Sequence, residues 1–236
     1  MNSNDNNNMV AFIGWHEGSA GLIHSWLEKT GNYQITCFIH TDDNPPVINK
    51  IPRPASQFSY RQNSKFKGLP FICKSNWPQY LKSKGISKAL ITTPDSPDSS
   101  ERAHQIMLAL EAGLELINAI HPSALIMEDA ILGKNIIMHA HSFLGYRAEL
   151  RDGVILNTGA QVDHHCVLGK SVTIAPGVVM ASNVNIEEKC TVYTAAVIKN
   201  NITIKNNSII GAGSLVIRDV EENKVMVGVP AREKNE

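Results

Sequence analysis

The sequence carries no excess of either charge: Lys+Arg and Asp+Glu each number 22 in 236 residues. Without a net field, neither nucleic acid nor an anionic membrane surface is an expected partner. No apolar run approaches the roughly 18 residues of a membrane span, so no membrane insertion is expected. The opening MNSNDNNN lacks the apolar segment of a secretory signal, and residues 1–8 are expected to be a frayed tail. There are only four cysteines, Cys37, Cys73, Cys166 and Cys190, and they form no CxxC pair and no metal-ligand spacing. Cys37 and Cys166 stand in apolar runs and are expected to be buried thiols. These absences together point to a cytoplasmic protein. What remains, 43% hydrophobic and 19% charged residues, suits one large or two small globular domains.

Two different periods divide the chain. Over 9–120, strand-like and helix-like segments alternate. MVAFIG (9–14) and YQITCFIH (33–40) read as strands with the helical GLIHSWLEKTG between them, and DDNPP breaks the second strand. Residues 47–67 have little periodicity and read as a long loop. SNWPQYLKSKG and KALITTP supply a helix and a strand. SSERAHQIMLALEAG places Ala103, Ile106, Met107 and Leu110 on one helical stripe, and LELINAI (114–120) is a final strand. This alternation predicts a small parallel, Rossmann-like α/β sheet.

From His121 the period becomes six. Every sixth residue from Ile126 to Val216 is aliphatic or methionine, sixteen in succession. The residue two places before each is small or β-branched. At a base rate of about 45% apolar residues, such a run is on the order of a one-in-10⁵ coincidence. A hexapeptide period is the signature of a parallel β-helix, with three hexads to a coil and residues 18 apart stacked about 4.8 Å from one another. The predicted organisation is therefore a tail (1–8), a Rossmann-like α/β domain (9–120), a β-helix of roughly five coils (121–218), and a C-terminal tail (219–236).

In this frame Val162 points inward, and Asp163, His164 and His165 form the next turn. Stacking by 18 sets His164 between Tyr146 and Ser182, and His165 between Arg147 and Asn183. A β-helix turn has no packing need for paired imidazoles. They are either two solvated turn residues or the place of a histidine general base. Being adjacent in one turn, the two rings are expected to point apart. That argues against a metal hydratase of the carbonic anhydrase type, which needs three converging imidazoles.

The combination of IHPSA at the junction, ILNTGAQVDHHCVLG, VTIAPGVVMASNVNI, IIGAGSLVIRDV and VGVPAR resembles one bacterial group. These are the left-handed β-helix sugar acetyltransferases that include sialic acid O-acetyltransferase and the UDP-bacillosamine-pathway N-acetyltransferase. The resemblance covers nearly the whole chain, and its N-terminal third matches mainly in architecture. It implies a left-handed coil, a homotrimer with active sites shared between subunits, acetyl-coenzyme A as co-substrate, and no metal. It also implies transfer to a nucleotide-linked amino sugar for surface glycan assembly, directly and with a histidine as base. O-acetylation of a sialic-acid-like sugar is the runner-up, and a non-catalytic trimer the remaining alternative.

What the resemblance implies for residues is specific. In the family, the histidine of an acidic-His-acidic-Cys turn is the base, which falls here on His164. His165 stands where an orienting carboxylate is usual, with Asp163 as a substitute if the turn lets it reach back. The oxyanion donor is the backbone N–H of Ser182, where a glycine is usual. Asn157 matches a position near the sugar. Thr173 takes the place of a histidine near the thioester, Thr194 and Ala212 (within GAG, 211–213) line the coenzyme groove, and Arg232 is placed to meet coenzyme phosphates. The glycine-rich turn of the family, which faces the nucleotide sugar, appears here as GWHEGSAG, with Gly14 and Gly18 differently spaced and His16 displaced. The acidic pair after the second strand falls on Asp42 and Asp43, behind His40.

Overall fold

The computed structural model describes residues 8–14, 17–43, 65–92 and 100–234. His16, nearly all of the 1–8 tail, and most of the 47–67 loop lie outside the described residues. The chain divides into two compact units, Met1–Pro94 with Met107–Leu116, and Asp95–Ile106 with Ile117–Glu236.

The first unit is an α/β layer. Its strands β1 (Met9–Ile13), β2 (Gln34–His40), β3 (Lys65–Phe66), β4 (Leu69–Cys73), β5 (Lys88–Ile91) and β6 (Glu115–Leu116) form one sheet in the order β3-β4-β2-β1-β5-β6. All pairings are parallel except β3 with β4. Val10–Ile13 is buried throughout, as a central parallel strand covered on both faces must be. A π-type turn, Glu17–Gly21, leads into α1 (Leu22–Leu27), and Gly31 ends the following 3-10 turn in the left-handed region at φ 74°. The remaining helices are α2 (Trp77–Ser83) and α3 (Ser100–Glu111), and the division between the two units falls within α3. The β3–β4 hairpin was not expected. LELINAI, read as one strand, is two: β6 pairs with β5, whereas Ala119–Ile120 pairs with Ile137–Met138 of the coil.

The second unit is a left-handed parallel β-helix with three faces of two-residue strands. The first face runs from Ala119–Ile120 through Ile137–Met138, Ile155–Leu156, Thr173–Ile174 and Thr191–Val192 to Ile209–Ile210 and Val225–Val227. The second runs from Leu125–Ile126 to Leu215–Val216, and the third from Ile131–Leu132 to Thr203–Ile204. Partners in adjacent coils are 18 residues apart, as in Gln161 with Val179 and Val162 with Met180. From Met138 onward every inward residue of the hexad series is buried, and so is its companion two places earlier. The stretch from 219, expected as a tail, instead extends the first face, and Arg232–Glu233 folds back antiparallel on Val225–Val227.

Each corner is closed by a left-handed residue at a spacing of six. Among them are His141, Arg147, His165, Ser171, Asn183, Lys189 and Ala195, with φ between 55° and 59°. Asn and Asp, which tolerate this conformation, fill several of the other corners, and Gly the rest.

His139, in the first corner, is 6% exposed. Burial, with a smaller contribution from His121, lowers its pKa from 6.5 to about 4. A base kept neutral in the fold but protonated in the unfolded chain leaves stability intact above pH 6.5. It removes stability as the pH falls from 6.5 towards 4, by about 1.4 kcal/mol per pH unit. Replacing His139 with Asn, the residue one coil on in the same column, is expected to spare about 2 kcal/mol of the loss between pH 6.5 and pH 5. Denaturant melts at several pH values and fixed protein concentration measure this; identical pH dependence in the two proteins contradicts it.

Candidate functional site

The corner after the second face holds Asp163, His164 and His165. Gln161–Val162 delivers the chain to it with Val162 locked in the core, so the next three residues must leave the coil. Asp163 Oδ1 accepts the His164 backbone N–H at 2.7 Å. The carboxylate thus closes the turn and engages the backbone of His164. His165 takes the left-handed conformation at φ 58°, and its N–H donates to Tyr146 O at 3.0 Å in the coil below.

The His165 side chain lies back across the corner. The rings do not point apart, as expected, but meet: His164 Nδ1 and His165 Nδ1 are 2.9 Å apart, with the ring planes at 88°. One nitrogen donates and the other accepts. His165 stacks edge-to-face with Tyr146, centroids 5.8 Å apart. The Arg147 guanidinium covers the other part of the array, 4.9 Å from the Tyr146 ring centre, and pairs with Asp129 at 3.4 Å. Both imidazoles are exposed.

One coil above, Ala181 N–H donates to Ile198 O and Asn183 N–H to His164 O, which leaves the Ser182 N–H outside the ladder. An exposed imidazole and a backbone N–H outside the ladder thus stand on neighbouring rungs of one corner. Cys166, next in sequence to His165, is fully buried. Its Sγ donates to Ala181 O at 3.2 Å, and burial pushes the thiol up to about 11, so it is no nucleophile.

Gly145 is a site residue that sequence reading did not single out. It lies 18 residues below Asp163, and a Cβ built on it would sit 2.5 Å from His164 N and 2.6 Å from Asp163 C. Stacking by 18 was the signal available to find it.

The other expected residues of this unit stand elsewhere on the coil. Asn157, Thr194 and Ala212 belong to the corner after the first face, where Asn157 Nδ2 donates to Ile174 O at 3.1 Å and Thr194 and Ala212 are exposed. Thr173 is on the first face itself. It is 1% exposed, and its hydroxyl accepts Arg102 Nη2 at 2.6 Å, so it is turned into the protein and not presented to a ligand. The same Nη2 donates to Ser171 O at 2.8 Å. Arg102 was not anticipated, since nothing in the helical stripe of α3 marks it. Arg232 is exposed, with Nη1 donating to Ala231 O. A single copy therefore carries its expected site residues on two different corners. A cavity of about 420 Å³ at the third corner, lined by Arg151, Gly169, Asn185 and Glu187, contains none of them.

In the first unit the expected residues gather at the carboxyl ends of the parallel strands. Gly14, at φ 82° after β1, donates its N–H to Ile39 O and accepts the Thr92 hydroxyl at 2.7 Å. His40 ends β2. Its Nδ1 accepts the Asp42 N–H at 3.1 Å, and burial holds its pKa below the usual histidine value. The Asp43 carboxylate accepts both the hydroxyl and the N–H of Ser75, which lowers its pKa. Gly18 lies in the π-type turn. β1 and β5 are neighbours whose connections leave in opposite directions, and the crevice at such a switch point is where open α/β sheets bind ligands.

No family model matches the chain. A stretch of 46 residues is 37% identical to an acyl-[acyl-carrier-protein]–UDP-N-acetylglucosamine O-acyltransferase of Campylobacter lari, covering 20% of this chain and only 18% of that relative. Among solved structures, PerB from Caulobacter crescentus in complex with CoA and GDP-perosamine is similar over 96% of this chain and 97% of its own, with a TM-score of 0.80 and 26% identity. A variant of perosamine N-acetyltransferase from the same bacterium, with one histidine replaced by asparagine and the same two ligands bound, has a TM-score of 0.82 at 26% identity over 96% and 97%. The acetyltransferase domain of PglB from Neisseria gonorrhoeae, in complex with acetyl coenzyme A, shares the fold at a TM-score of 0.78 and 24% identity over 96% and 99%.

Gly145→Ala is expected to leave the coil folded at a cost of about 1–3 kcal/mol, the usual cost of overpacking. Because it displaces the backbone of His164, it should also lower turnover about tenfold or more. Circular dichroism, melting and steady-state rates measure the two effects; full activity in a folded Gly145→Ala protein contradicts the close approach.

Proposed function

We propose that this left-handed β-helix chain, similar over nearly its whole length to PerB and perosamine N-acetyltransferase of Caulobacter crescentus, transfers the acetyl group of acetyl-coenzyme A directly to the amine of a nucleotide-linked amino sugar, for surface glycan assembly. The observation that carries this reading is the second corner: an exposed His164 with its Nδ1 tied to His165, one rung below a backbone N–H free of the ladder. His164 Nε2 removes a proton from the amine as nitrogen attacks the thioester carbonyl. The carbonyl oxygen gains negative charge and meets the Ser182 N–H. The tetrahedral species collapses with loss of the coenzyme thiolate, and the proton on His164 returns to sulfur. The first unit holds the nucleotide end with Gly14, Gly18, His40 and Asp42; Asp43 shapes that end through Ser75.

The protein works as a homotrimer with its sites shared between subunits. His164 and Ser182 stand at one corner of the coil and Asn157, Thr194 and Ala212 at another, so a second copy is needed to bring the two sets to one substrate. On the second face, Leu125 below the catalytic corner and Val179 and Val197 above it turn outward, at 55%, 39% and 42% exposure. This apolar stripe has the chemistry of an interface. Thr194, Ala212 and Arg232 then line the coenzyme groove, and Thr173 and Arg102 stiffen its wall. A cytoplasmic location follows from the substrates, acetyl-coenzyme A and a sugar nucleotide. Among the described residues no helix is long and apolar enough to cross a membrane.

Thiol release from acetyl-coenzyme A across a panel of nucleotide-linked amino sugars, with a nonulosonic acid included, tests the reaction. A product amide that resists mild base is expected; an ester product assigns O-acetylation instead. His164→Ala is expected to lower kcat by 10²-fold or more with little change in coenzyme affinity. Wild-type kinetics in that variant remove His164 as base. Light scattering should give about three times the 25.9 kDa chain mass; a fully active monomer contradicts the shared site.

A further inference from the structure

We propose that His165 is a second proton acceptor in series with His164, and that it carries the positive charge of proton abstraction out to solvent until the thiolate leaves. This rests on His164 being the base. The 2.9 Å Nδ1–Nδ1 contact requires one ring to donate and the other to accept. Only one of the two arrangements serves catalysis. His164 must carry its proton on Nδ1 and give it to His165, which leaves His164 Nε2 with a free lone pair. His165 then carries its own proton on Nε2.

Bond by bond, the amine N–H proton moves to His164 Nε2. The Nδ1–H proton of His164 moves to His165 Nδ1, and the positive charge moves with it. The exposed His165 gives its Nε2 proton to water. His164 is left neutral with a proton on Nε2, ready for the leaving thiolate. As that proton goes to sulfur, His165 Nδ1 returns its proton to His164 and recovers one from water at Nε2. Nothing is oxidised, and one proton is borrowed and repaid. A carboxylate in the place of His165 orients the base but is too weak an acid–base partner to keep that proton.

The surroundings hold this geometry in place. The Tyr146 ring meets His165 edge-on, Arg147 covers Tyr146, and Asp129 anchors Arg147. Asp163 is engaged by the His164 N–H through Oδ1. The charged and titratable groups at this corner are therefore Asp163, Tyr146, Arg147 and Asp129. Because His165 sits at φ 58°, a glycine there keeps the turn unstrained.

Two measurements on the full-length protein test the relay. Nitrogen-15 spectra of histidine-labelled protein report the tautomer of each ring without any sugar acceptor. The expected result is His164 protonated on Nδ1 and His165 on Nε2, with His164 losing that preference in His165→Gly. His164 protonated on Nε2 in the wild type overturns the proposal. In the second, His165→Gly should lower kcat about tenfold with KM nearly unchanged, and added imidazole should restore kcat where acetate at the same pH and concentration does not. Equal rescue by acetate, or none by imidazole, leaves His165 with orientation alone and overturns the relay. Should no amino sugar be turned over, the proposed function fails, while the tautomers still decide the arrangement of the pair.

Discussion

The second unit depends on one geometric repeat: a side chain buried every sixth residue and a left-handed corner closing every hexad. A coil so built buries its apolar residues in a column and satisfies its backbone groups with the coils above and below. From this follows everything about the candidate site. With Val162 and Cys166 held in the core, the three residues between them have no room inside and must form the corner. The stacking interval of 18 then sets Gly145 beneath the turn and Ser182 above it. The close approach of Gly145 to His164 N is the same constraint seen from below, since adjacent corners have no space for a Cβ at that point.

How much of this could be read from sequence depends on the range of the interaction. The hexad series was legible because each residue repeats the environment of the one six before it, so sixteen weak signals add. The location of the histidine turn and its neighbours at ±18 followed from the same count. Ring directions did not follow. The left-handed backbone recurs at every corner, and whether His165 leans toward or away from His164 is set by side-chain torsions that the hexad count does not specify. Arg102 was invisible for another reason. Its partners, Ser171 and Thr173, lie 69 and 71 residues away, at a corner and on the face that follows it.

The first unit was legible in outline and less so in detail. Central strands such as MVAFI announce themselves because burial on both faces demands an unbroken apolar run. The β3–β4 hairpin did not, since β3 is two residues long, Pro70 interrupts the apolar pattern of β4, and edge pairing needs little apolar surface. LELINAI reads as one strand because Leu114, Leu116 and Ile117 are all buried, although the chain changes sheets within it.

The neighbour of the histidine pair also bears on how the acetyl group travels. A cysteine beside a base suggests an acyl-enzyme, in which the thiol would take the acetyl group first and hand it on later. Cys166 is excluded from that role by the same repeat that places the histidines. As a companion residue of the hexad series it must face inward, where its thiol has no access to coenzyme and burial keeps it protonated. Without a covalent way station, thioester and amine must be present at one corner together. A convex corner cannot surround two substrates, and water would compete for the thioester. The proposed direct transfer and the proposed site completed by a second copy thus share one structural basis: the coil keeps its nearby thiol inside and the histidine pair outside.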